Sequence, residues 1–407
     1  MDTDGLTDVG KQSHELERLI ANRIAQTQHQ RITFAEYMDW VLYHPQFGYY
    51  ASSAANIGAQ GDFVTSPHFG ADFGELLAEQ FVEMWEILGC PMPFTLVEMG
   101  AGQGLVAADV LCYLHKRYPE FLNVVEYIIV EKAAAMIKQQ QQLLQRSLPL
   151  GQTQHIRWSS LEEIPEASII GCCFSNELVD ALPVHQIVLE KGQWQEIYVT
   201  TGSEQELVEV IGELSTPQLT KYFDLVGIKF PADTYSDGYR TEVNLAALGW
   251  MSTVAKRLQR GYLLTIDYGY PAVRYYNPMR RQGTLQCYYR HRHHDDPYLY
   301  IGHQDITAHV DFTALERQGE LCGLQQVGFT KQGLFLMALG LGDRIAALST
   351  ENNLENQGIQ AVLQRREALH QMIDPMGLGG FGVLAQSKGL TAEEQTKLIK
   401  GLRMPGR

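Results

Sequence analysis

Three glycines at alternate positions, Gly100, Gly102 and Gly104, follow an acid, Glu98, in the stretch FTLVEMGAGQGLVAADVL. Such a turn lets a ligand approach bare backbone, because glycine has no side chain and readily adopts positive φ. A dinucleotide motif, G-x-G-x-x-G, would place its third glycine at Leu105 instead. A carboxylate beside the turn also suits an ammonium or sulfonium group better than a pyrophosphate. The spacing therefore favours a ligand that carries positive charge.

A second acid, Glu131, ends the next apolar stretch, VEYIIVE. An acid at the end of the strand that follows a glycine turn can accept hydrogen bonds from both hydroxyls of a ribose. The alternative is that the glycines only permit a tight turn and that Glu98 and Glu131 are solvated at strand ends. The first interpretation predicts a nucleoside ligand with a cationic group.

The stretch FSNELVDALPVHQ places Glu177 and Asp180 after another apolar run. Two carboxylates suit a guanidinium, which has a pKa above about 12 and a planar set of hydrogen-bond donors. The carboxylates can orient these donors, localise the positive charge and accept a proton. In the alternative, Glu177 caps the following helix and Asp180 lies on its solvated face. Asp267, which ends the run GYLLTID, is a third candidate catalytic residue, with a plain turn as its alternative.

Strands alternate with helices from Phe94 onward, which predicts an α/β fold with a parallel, doubly wound sheet. An N-terminal helical segment precedes the sheet, and a hairpin around Lys191 and Gly192 is inserted into it. Strands are predicted over 94–99, 125–131, 155–158, 169–177, 261–269 and 324–330, with a closing edge strand within 379–388. Helices are predicted over 71–88, 105–118, 242–259, 310–322 and 334–372, and one ends near 146.

The composition is that of an ordinary globular enzyme, with 407 residues, 45% hydrophobic and 19% charged. A formal net charge of −15 makes nucleic acid a poor partner and suits a cationic substrate or cofactor. The six cysteines show no C-x-x-C spacing, so neither a zinc site nor a disulfide framework is expected. The N-terminus resembles neither a secretory signal nor a transit peptide, and no apolar run is long enough to span a bilayer. A cytoplasmic location is expected, with an organelle whose presequence is not part of this sequence as the alternative.

The pattern of glycine turn, helix and strand ending in Glu resembles the cofactor half of class I S-adenosylmethionine-dependent methyltransferases. Longer motifs narrow the resemblance to the MidA (DUF185-type) family, whose mitochondrial members assist assembly of respiratory complex I and are associated with arginine methylation. The motifs that carry this resemblance include FAEYMDWVLYHPQFGYY, GDFVTSPHFGADFGELLAEQ, SNELVDALPVHQ, IDYGY and PMGLGGFGVLAQ. The N/D-P-P-Y/F motif common in methyltransferases that act on nucleic-acid bases is absent.

The resemblance implies S-adenosyl-L-methionine as cofactor and a Rossmann-like class I methyltransferase fold. Glu98 and the glycine turn would hold the methionine part, and Glu131 the ribose. The loop GDFVTSP would close over the cofactor and is expected to contribute further contacts. The predicted additional cofactor contacts are Gly61, Asp62, Thr65 and Asn176.

One position departs from the family pattern. Relatives have an acid directly after GDF-T-P, whereas this chain has His68. Glu75, in FGELLAEQ, matches the family and is a candidate substrate-binding residue, as are Asp305 and His309 in DITAHVDFTAL. The alternative for the last two is that Asp305 or Thr307 caps the helix and His309 is a half-buried residue with satisfied hydrogen bonds.

A metal site in YYRHRHHDDP is not expected, because neighbouring residues on one loop rarely converge on one ion. The predicted organisation is a helical cap over residues 1–93, a methyltransferase domain over 94–390 and a tail over 391–407. The domain carries insertions near 184–240, 271–309 and 334–373.

Transfer of a methyl group to arginine, on a protein such as a respiratory or NDH-1 complex subunit, is the predicted function. A non-catalytic assembly factor with the same fold, a small-molecule methyltransferase and an NAD(P) oxidoreductase are the alternatives. A homodimer is compatible with the sequence.

Overall fold

The chain was analysed as a computed structural model that describes residues 3–52, 65–149, 151–231, 233–290, 292–348 and 359–404. The α-helices are α1 Thr3–Gln26, α2 Phe34–Tyr43, α3 Tyr49–Ser52, α4 Asp72–Ile87, α5 Leu105–Arg117, α6 Pro119–Leu122, α7 Ala134–Ser147, α8 Gln218–Val226, α9 Leu245–Arg257, α10 Ala272–Tyr275, α11 Phe312–Leu321, α12 Gln332–Leu339, α13 Leu341–Leu348, α14 Ile359–Gln371 and α15 Ala392–Gln395.

The strands are β1 Ile32–Thr33, β2 Phe94–Met99, β3 Val125–Val130, β4 Ile156–Ser159, β5 Ile169–Asn176, β6 His185–Glu190, β7 Gln193–Thr201, β8 Leu207–Gly212, β9 Arg240–Val243, β10 Leu258–Asp267, β11 Gly269–Tyr270, β12 Gln286–Tyr289, β13 Arg292–His294, β14 Asp305–Thr307, β15 Val310–Asp311, β16 Gln325–Lys331 and β17 Gly382–Lys388.

A seven-stranded sheet in the order β16-β17-β10-β5-β2-β3-β4 forms the centre of the molecule. The five strands β10, β5, β2, β3 and β4 pair in parallel, and β17 is antiparallel to both of its neighbours. Apolar residues of α4, α5 and α12 pack on one face, and those of α9 and α11 on the other. The prediction of a doubly wound α/β sheet is therefore confirmed.

The strand order reverses between β2 and β5. After β2, the chain adds β3 and β4 on one side of β2, and it then returns to add β5 and β10 on the other side. Ligands of open α/β sheets bind at such a point, beyond the carboxyl ends of the strands. Glu98, Glu131 and Glu177 all lie at the carboxyl ends of β2, β3 and β5. The topology thus brings the three predicted acids to one edge of the sheet.

The strand predicted to close the sheet at its edge is interior instead. β17 lies between β10 and β16, and its residues from Gly382 to Ser387 are all buried. A strand covered by neighbours on both edges and by helices on both faces is buried throughout. The edge strand is β16, whose exposed first residues, Gln325 and Gln326, agree with that position.

The hairpin around Lys191 and Gly192 is present as β6 and β7, but it is not part of the central sheet. It forms a separate antiparallel sheet with β1, β8 and β9. Apolar residues of α1 and α2 pack against this second sheet and against β14. The predicted helix over 310–322 begins at Phe312, because Val310 and Asp311 pair with β11.

Candidate active site

A cavity of about 840 Å³ opens at the carboxyl ends of β2, β3 and β5. Its volume lies within the range of about 300 to 1,000 Å³ that is usual for small-molecule sites. Glu98, Glu131, Asn176 and Glu177 contribute to its wall, together with Gly100 and Gly102 of the glycine turn, whereas Gly104 does not line the cavity. Of the predicted cofactor contacts, Thr65 also lines the cavity, whereas Gly61 and Asp62 lie outside the described residues.

The glycine turn connects β2 to α5, and all three of its glycines are held in left-handed backbone conformations. Gly100 has φ +71°, and a Cβ there would lie 2.7 Å from Leu178 Cδ1. Gly102 has φ +51°, and a Cβ there would meet no described atom within 4 Å. Gly104 precedes α5 as its N-cap. The turn is therefore packed against Leu178 at Gly100, whereas the space in front of Gly102 is empty. This empty space allows a ligand to approach the backbone closely.

Glu98 is buried, with 4% of its surface exposed, and its Oε2 accepts a 2.7 Å hydrogen bond from the Tyr127 hydroxyl. Burial raises the pKa of Glu98 to about 7, although the Tyr127 hydrogen bond acts in the opposite direction. A cation bound beside Glu98 would replace the lost hydration and favour the ionised form. The geometry suits an ammonium group.

Glu131 is fixed by its own strand end. Its Oε1 accepts hydrogen bonds from the backbone amides of Lys132, at 2.8 Å, and Ala133, at 3.0 Å. Its Oε2 accepts from Gln140 Nε2 at 3.3 Å. Burial nevertheless raises the pKa of Glu131 above its ordinary value. The carboxylate therefore faces the cavity in one fixed orientation, which two neighbouring hydroxyl groups of a ribose could use.

Gln140 is a positioning residue that the sequence analysis missed. It is fully buried in α7, and its Nε2 donates to the Gly102 carbonyl at 2.8 Å as well as to Glu131. Its Oε1 accepts from Trp158 Nε1 at 2.9 Å. Gln140 thereby joins the glycine turn to Glu131. The only signal in the sequence is the run of four glutamines, which does not distinguish the buried one from its neighbours.

Glu177 follows β5 with φ +52°, an uncommon conformation for a residue with a side chain. Its backbone amide donates to the Ile266 carbonyl at 2.9 Å, and its Oε1 accepts from Asn176 Nδ2 at 3.0 Å. Burial, and secondarily the charge of Asp267, raises the pKa of Glu177 to about 8. In the free protein a carboxyl group with this pKa is largely protonated at neutral pH. Once a cation beside it favours the ionised form, it is a stronger base than an ordinary glutamate.

Asp180 and Asp267 lie behind Glu177 rather than in the cavity wall. Asp267 is fully buried, and its Oδ2 accepts from the backbone amides of Leu178, Val179 and Asp180, while its Oδ1 accepts from that of Tyr268. It therefore holds the turn that follows Glu177. Asp267 is a positioning residue in this geometry.

Asp180 is 6% exposed, and its Oδ1 has no hydrogen-bond partner among the described residues. Burial raises its pKa well above the ordinary value, and the charges of Asp267, Asp305 and Glu177 act in the same direction. Asp180 therefore adds to an acidic region next to the cavity.

The three candidate substrate-binding residues also lie outside the cavity wall. Asp305 is buried and accepts a 3.0 Å hydrogen bond from the Tyr50 hydroxyl. His309 stacks on Tyr270, and burial lowers its pKa to about 4, which keeps it neutral. Asp305 is thereby tied to the cavity through Tyr50, which does line it, whereas His309 packs between aromatic rings.

Glu75 already binds a guanidinium within the chain. It pairs with Arg344 of α13, which also lies 2.8 Å from Asp72 Oδ1. Arg365 of α14 donates to the same Asp72 carboxylate. This network fastens α13 and α14 to the start of α4, so that Glu75 in this geometry serves the fold.

Two tyrosines that the sequence analysis did not single out face the cavity from the N-terminal helices. Tyr43 and Tyr50 stack with their ring centroids 5.3 Å apart. The Tyr43 hydroxyl donates to the Ala181 carbonyl at 2.9 Å, directly after Asp180. The aromatic stretch YHPQFGYY signals buried rings, but not which of them reach a site.

No group of three or more His, Cys, Asp or Glu residues is arranged to hold a metal ion within the ranges given above. In the same part of the chain, no helix is both long and apolar enough to cross a bilayer.

Comparison with known proteins decides the class of this site. Residues 76–330 match the model of a family of S-adenosyl-L-methionine-dependent methyltransferases. The chain belongs to this family. A crystal structure of a Burkholderia thailandensis protein bound to S-adenosyl-homocysteine is 30% identical, with a TM-score of 0.83, and the match covers 98% of this chain and 97% of that one. The fold and cofactor predictions are therefore confirmed: this is a methyltransferase that uses S-adenosyl-L-methionine.

Curated relatives are also similar over most of their length. A Drosophila melanogaster protein, named protein arginine methyltransferase NDUFAF7 homolog, mitochondrial, is 32% identical over 90% of this chain and 84% of its own. The Homo sapiens protein arginine methyltransferase NDUFAF7, mitochondrial, is 27% identical over 79% of this chain and 73% of its own. The recognised relationship to this group of methyltransferases is confirmed.

The cavity fits the cofactor of this family. Glu98 suits the ammonium group, Glu131 the ribose, and the open face of Gly102 the chain between them. When bound, the cofactor supplies an activated methyl group. Asn176 Oδ1 is buried at the wall and has no hydrogen-bond partner among the described residues, so it is an acceptor left for a ligand.

Proposed function

We propose that this protein methylates arginine side chains of a protein substrate. The observation that carries the proposal is Glu177, a carboxyl group whose pKa burial raises to about 8 and which lies in the cavity wall together with the glycine turn that we assign to the cofactor. The names of the Drosophila and human relatives as protein arginine methyltransferases support the same acceptor.

The acidic region behind the cavity suits a cation as acceptor. Glu177, Asp180 and Asp267 all have pKa values raised by burial, so that their ionised forms lack hydration. A guanidinium placed against Glu177 supplies the missing positive charge and hydrogen-bond donors. Phosphate or carboxylate acceptors would be repelled by the same groups.

The chemistry requires alignment and the removal of one proton. A guanidinium nitrogen becomes nucleophilic only when its lone pair is withdrawn from the delocalised system. Glu177 can orient one nitrogen, localise the positive charge on the others, and accept the proton as the new N–C bond forms. Asp267 contributes indirectly, because its four backbone hydrogen bonds fix the turn that presents Glu177.

We further propose, on the family resemblance, that the substrate is a subunit of a respiratory or NDH-1-type complex. The formal net charge of −15 and the aromatic pair Tyr43 and Tyr50 at the cavity support a cationic protein side chain as ligand. An assembly factor that only binds its partner would not need a base at Glu177.

Incubation with methyl-labelled cofactor and an extract from cells that lack the gene tests the proposal. Label is expected in methylarginine after acid hydrolysis of the protein fraction. Glu177→Gln should abolish the label while it leaves S-adenosylhomocysteine binding within about twofold. Label in small molecules or in lysine would contradict the arginine proposal, and full complementation by Glu177→Gln would favour the assembly factor.

A further inference from the structure

The charge in the cavity wall is unbalanced. Within the described residues, the wall carries five carboxyl groups and a single ammonium group, that of Lys132. The carboxyl groups belong to Asp39, Glu98, Glu131, Glu162 and Glu177. The cofactor of this family has an amino-acid end, so that a carboxylate accompanies the ammonium group that Glu98 suits. That carboxylate needs hydrogen-bond donors that the acids cannot provide.

His68 lines the same cavity, and its tautomer is set by the backbone. The amide of Thr65 donates to His68 Nδ1 at 3.3 Å, and the Thr65 hydroxyl lies 2.8 Å from the same nitrogen. A backbone N–H can only donate, so Nδ1 is the unprotonated nitrogen and accepts. The ring hydrogen is therefore on Nε2.

His68 Nε2 is buried and has no partner at full hydrogen-bond geometry among the described residues, although the side chain of Gln103 in the glycine turn interacts with the ring and acts to raise its pKa. Burial lowers the pKa of His68, which keeps the ring neutral and leaves Nε2 as a fixed N–H donor. A buried donor without a partner costs free energy unless a ligand accepts from it.

We propose that His68 Nε2, with the side chain of Gln103 beside it, forms the subsite for the carboxylate of the cofactor's amino-acid end. Glu98 and His68 then divide the zwitterion between them: the acid takes the ammonium group and the imidazole N–H takes the carboxylate. The family resemblance places an acid at this position in relatives, and an ionised acid has no hydrogen to donate. The proposed carboxylate subsite therefore depends on the histidine at position 68 of this chain and is not expected in relatives that have an acid there.

Binding of two ligands to the unchanged protein gives the first test. S-adenosylhomocysteine and its decarboxylated analogue differ only by the carboxylate, and isothermal titration calorimetry measures both. We expect the analogue to bind about ten- to a hundredfold more weakly, as for the loss of a hydrogen bond to a charged group. Equal affinities would overturn the proposal without any substitution.

Substitutions then assign the effect to His68. His68→Phe keeps a ring without a donor and should weaken S-adenosylhomocysteine by about ten- to a hundredfold, while the analogue changes by less than about twofold. His68→Gln, which can place an N–H near the Nε2 position, should retain most of the affinity. His68→Glu should weaken S-adenosylhomocysteine most, because it sets a carboxylate against a carboxylate.

A purely structural role of His68 predicts a different pattern. If the ring only holds Thr65 and the glycine turn in place, His68→Phe weakens both ligands by the same factor, which would overturn the proposal. Unchanged S-adenosylhomocysteine affinity in His68→Glu would overturn it as well. Because only binding is measured, a failed proposal on the arginine acceptor would leave these outcomes unaffected.

Discussion

Tyr127 donates its hydroxyl hydrogen to Glu98 Oε2 over 2.7 Å, from the strand next to that of Glu98. The register of β2 and β3 places Leu96 opposite Tyr127, so that Tyr127 and Glu98 lie on the same face of the sheet, diagonal to each other. One hydrogen bond thus accompanies a carboxyl group whose pKa is nonetheless raised to about 7 by burial. We therefore expect cofactor binding to depend on pH.

We predict that S-adenosylhomocysteine binds about tenfold more weakly at pH 6 than at pH 8, because its ammonium group requires ionised Glu98. Below pH 7 the free protein holds a proton on Glu98, and binding must release it. Calorimetry in two buffers of different ionisation enthalpy measures both the affinity and the released proton.

Two substitutions separate Glu98 from the other acids. Glu98→Gln should weaken binding and abolish the pH dependence, while Glu177→Gln should preserve it. Tyr127→Phe removes the hydrogen bond that lowers the pKa of Glu98, so the midpoint should move to higher pH. A pH profile that persists in Glu98→Gln would show that another group controls it.

Gly102→Ala should impair cofactor binding more than stability. Its Cβ would enter open space in the cavity, and the left-handed conformation costs about 1–2 kcal/mol. Gly100→Ala adds a clash with Leu178 to the same kind of strain and should lower the melting temperature further. Calorimetry and thermal denaturation of the two variants provide the comparison, and equal effects of both variants on binding would contradict the open geometry at Gly102.

Glu177→Gln should raise the melting temperature relative to the unchanged protein, and the difference should grow from pH 5 to pH 8. The folded pKa of about 8 lies above the ordinary value of 4.5, so the stability of the glutamate form is fully present below pH 4.5 and is lost as pH rises towards 8. Glutamine carries no such penalty. Exposed Glu126→Gln is the matched control and should show no comparable trend in differential scanning fluorimetry.

Asp267→Asn should destabilise the protein by about 1–3 kcal/mol, because both carboxylate oxygens accept from backbone amides and an amide nitrogen cannot accept. Chemical denaturation measures the loss. Methyl transfer should fall together with stability, in contrast to Glu177→Gln, where activity falls and the fold is retained. Full stability of Asp267→Asn with lost activity would make Asp267 a catalytic rather than a positioning residue.

The sequence could predict the elements that depend on local pattern. Apolar periodicity and turn residues define the central strands β2, β3, β4, β5 and β10 and the helices α5 and α9. Their predicted bounds agree with the structure within a few residues. The glycine spacing with Glu98 and Glu131 predicted a ligand site at the strand ends, and these residues line one cavity because the strand ends of a parallel sheet meet at one edge.

The interior position of β17 was not predictable. A buried strand has a continuous apolar sequence wherever it lies inside a sheet, and its neighbours are decided by pairing with distant strands. Nor could the sequence distinguish Glu177, which faces the cavity, from Asp267 and Glu75, which are held by backbone amides or by an arginine. An acid's partners come from distant parts of the chain: Arg344 is far from Glu75 in sequence, and Leu178 is far from Asp267.

The sequence by itself therefore determined the architecture, the cofactor class and the strand ends at which the cavity opens, because these depend on residue type and on short spacings. Only the tertiary structure decided which acids are buried, which of them already accept hydrogen bonds from the protein, and which nitrogen of the His68 ring carries the hydrogen. Burial and hydrogen bonding set pKa and orientation, and both arise from contacts between residues that are remote in the chain.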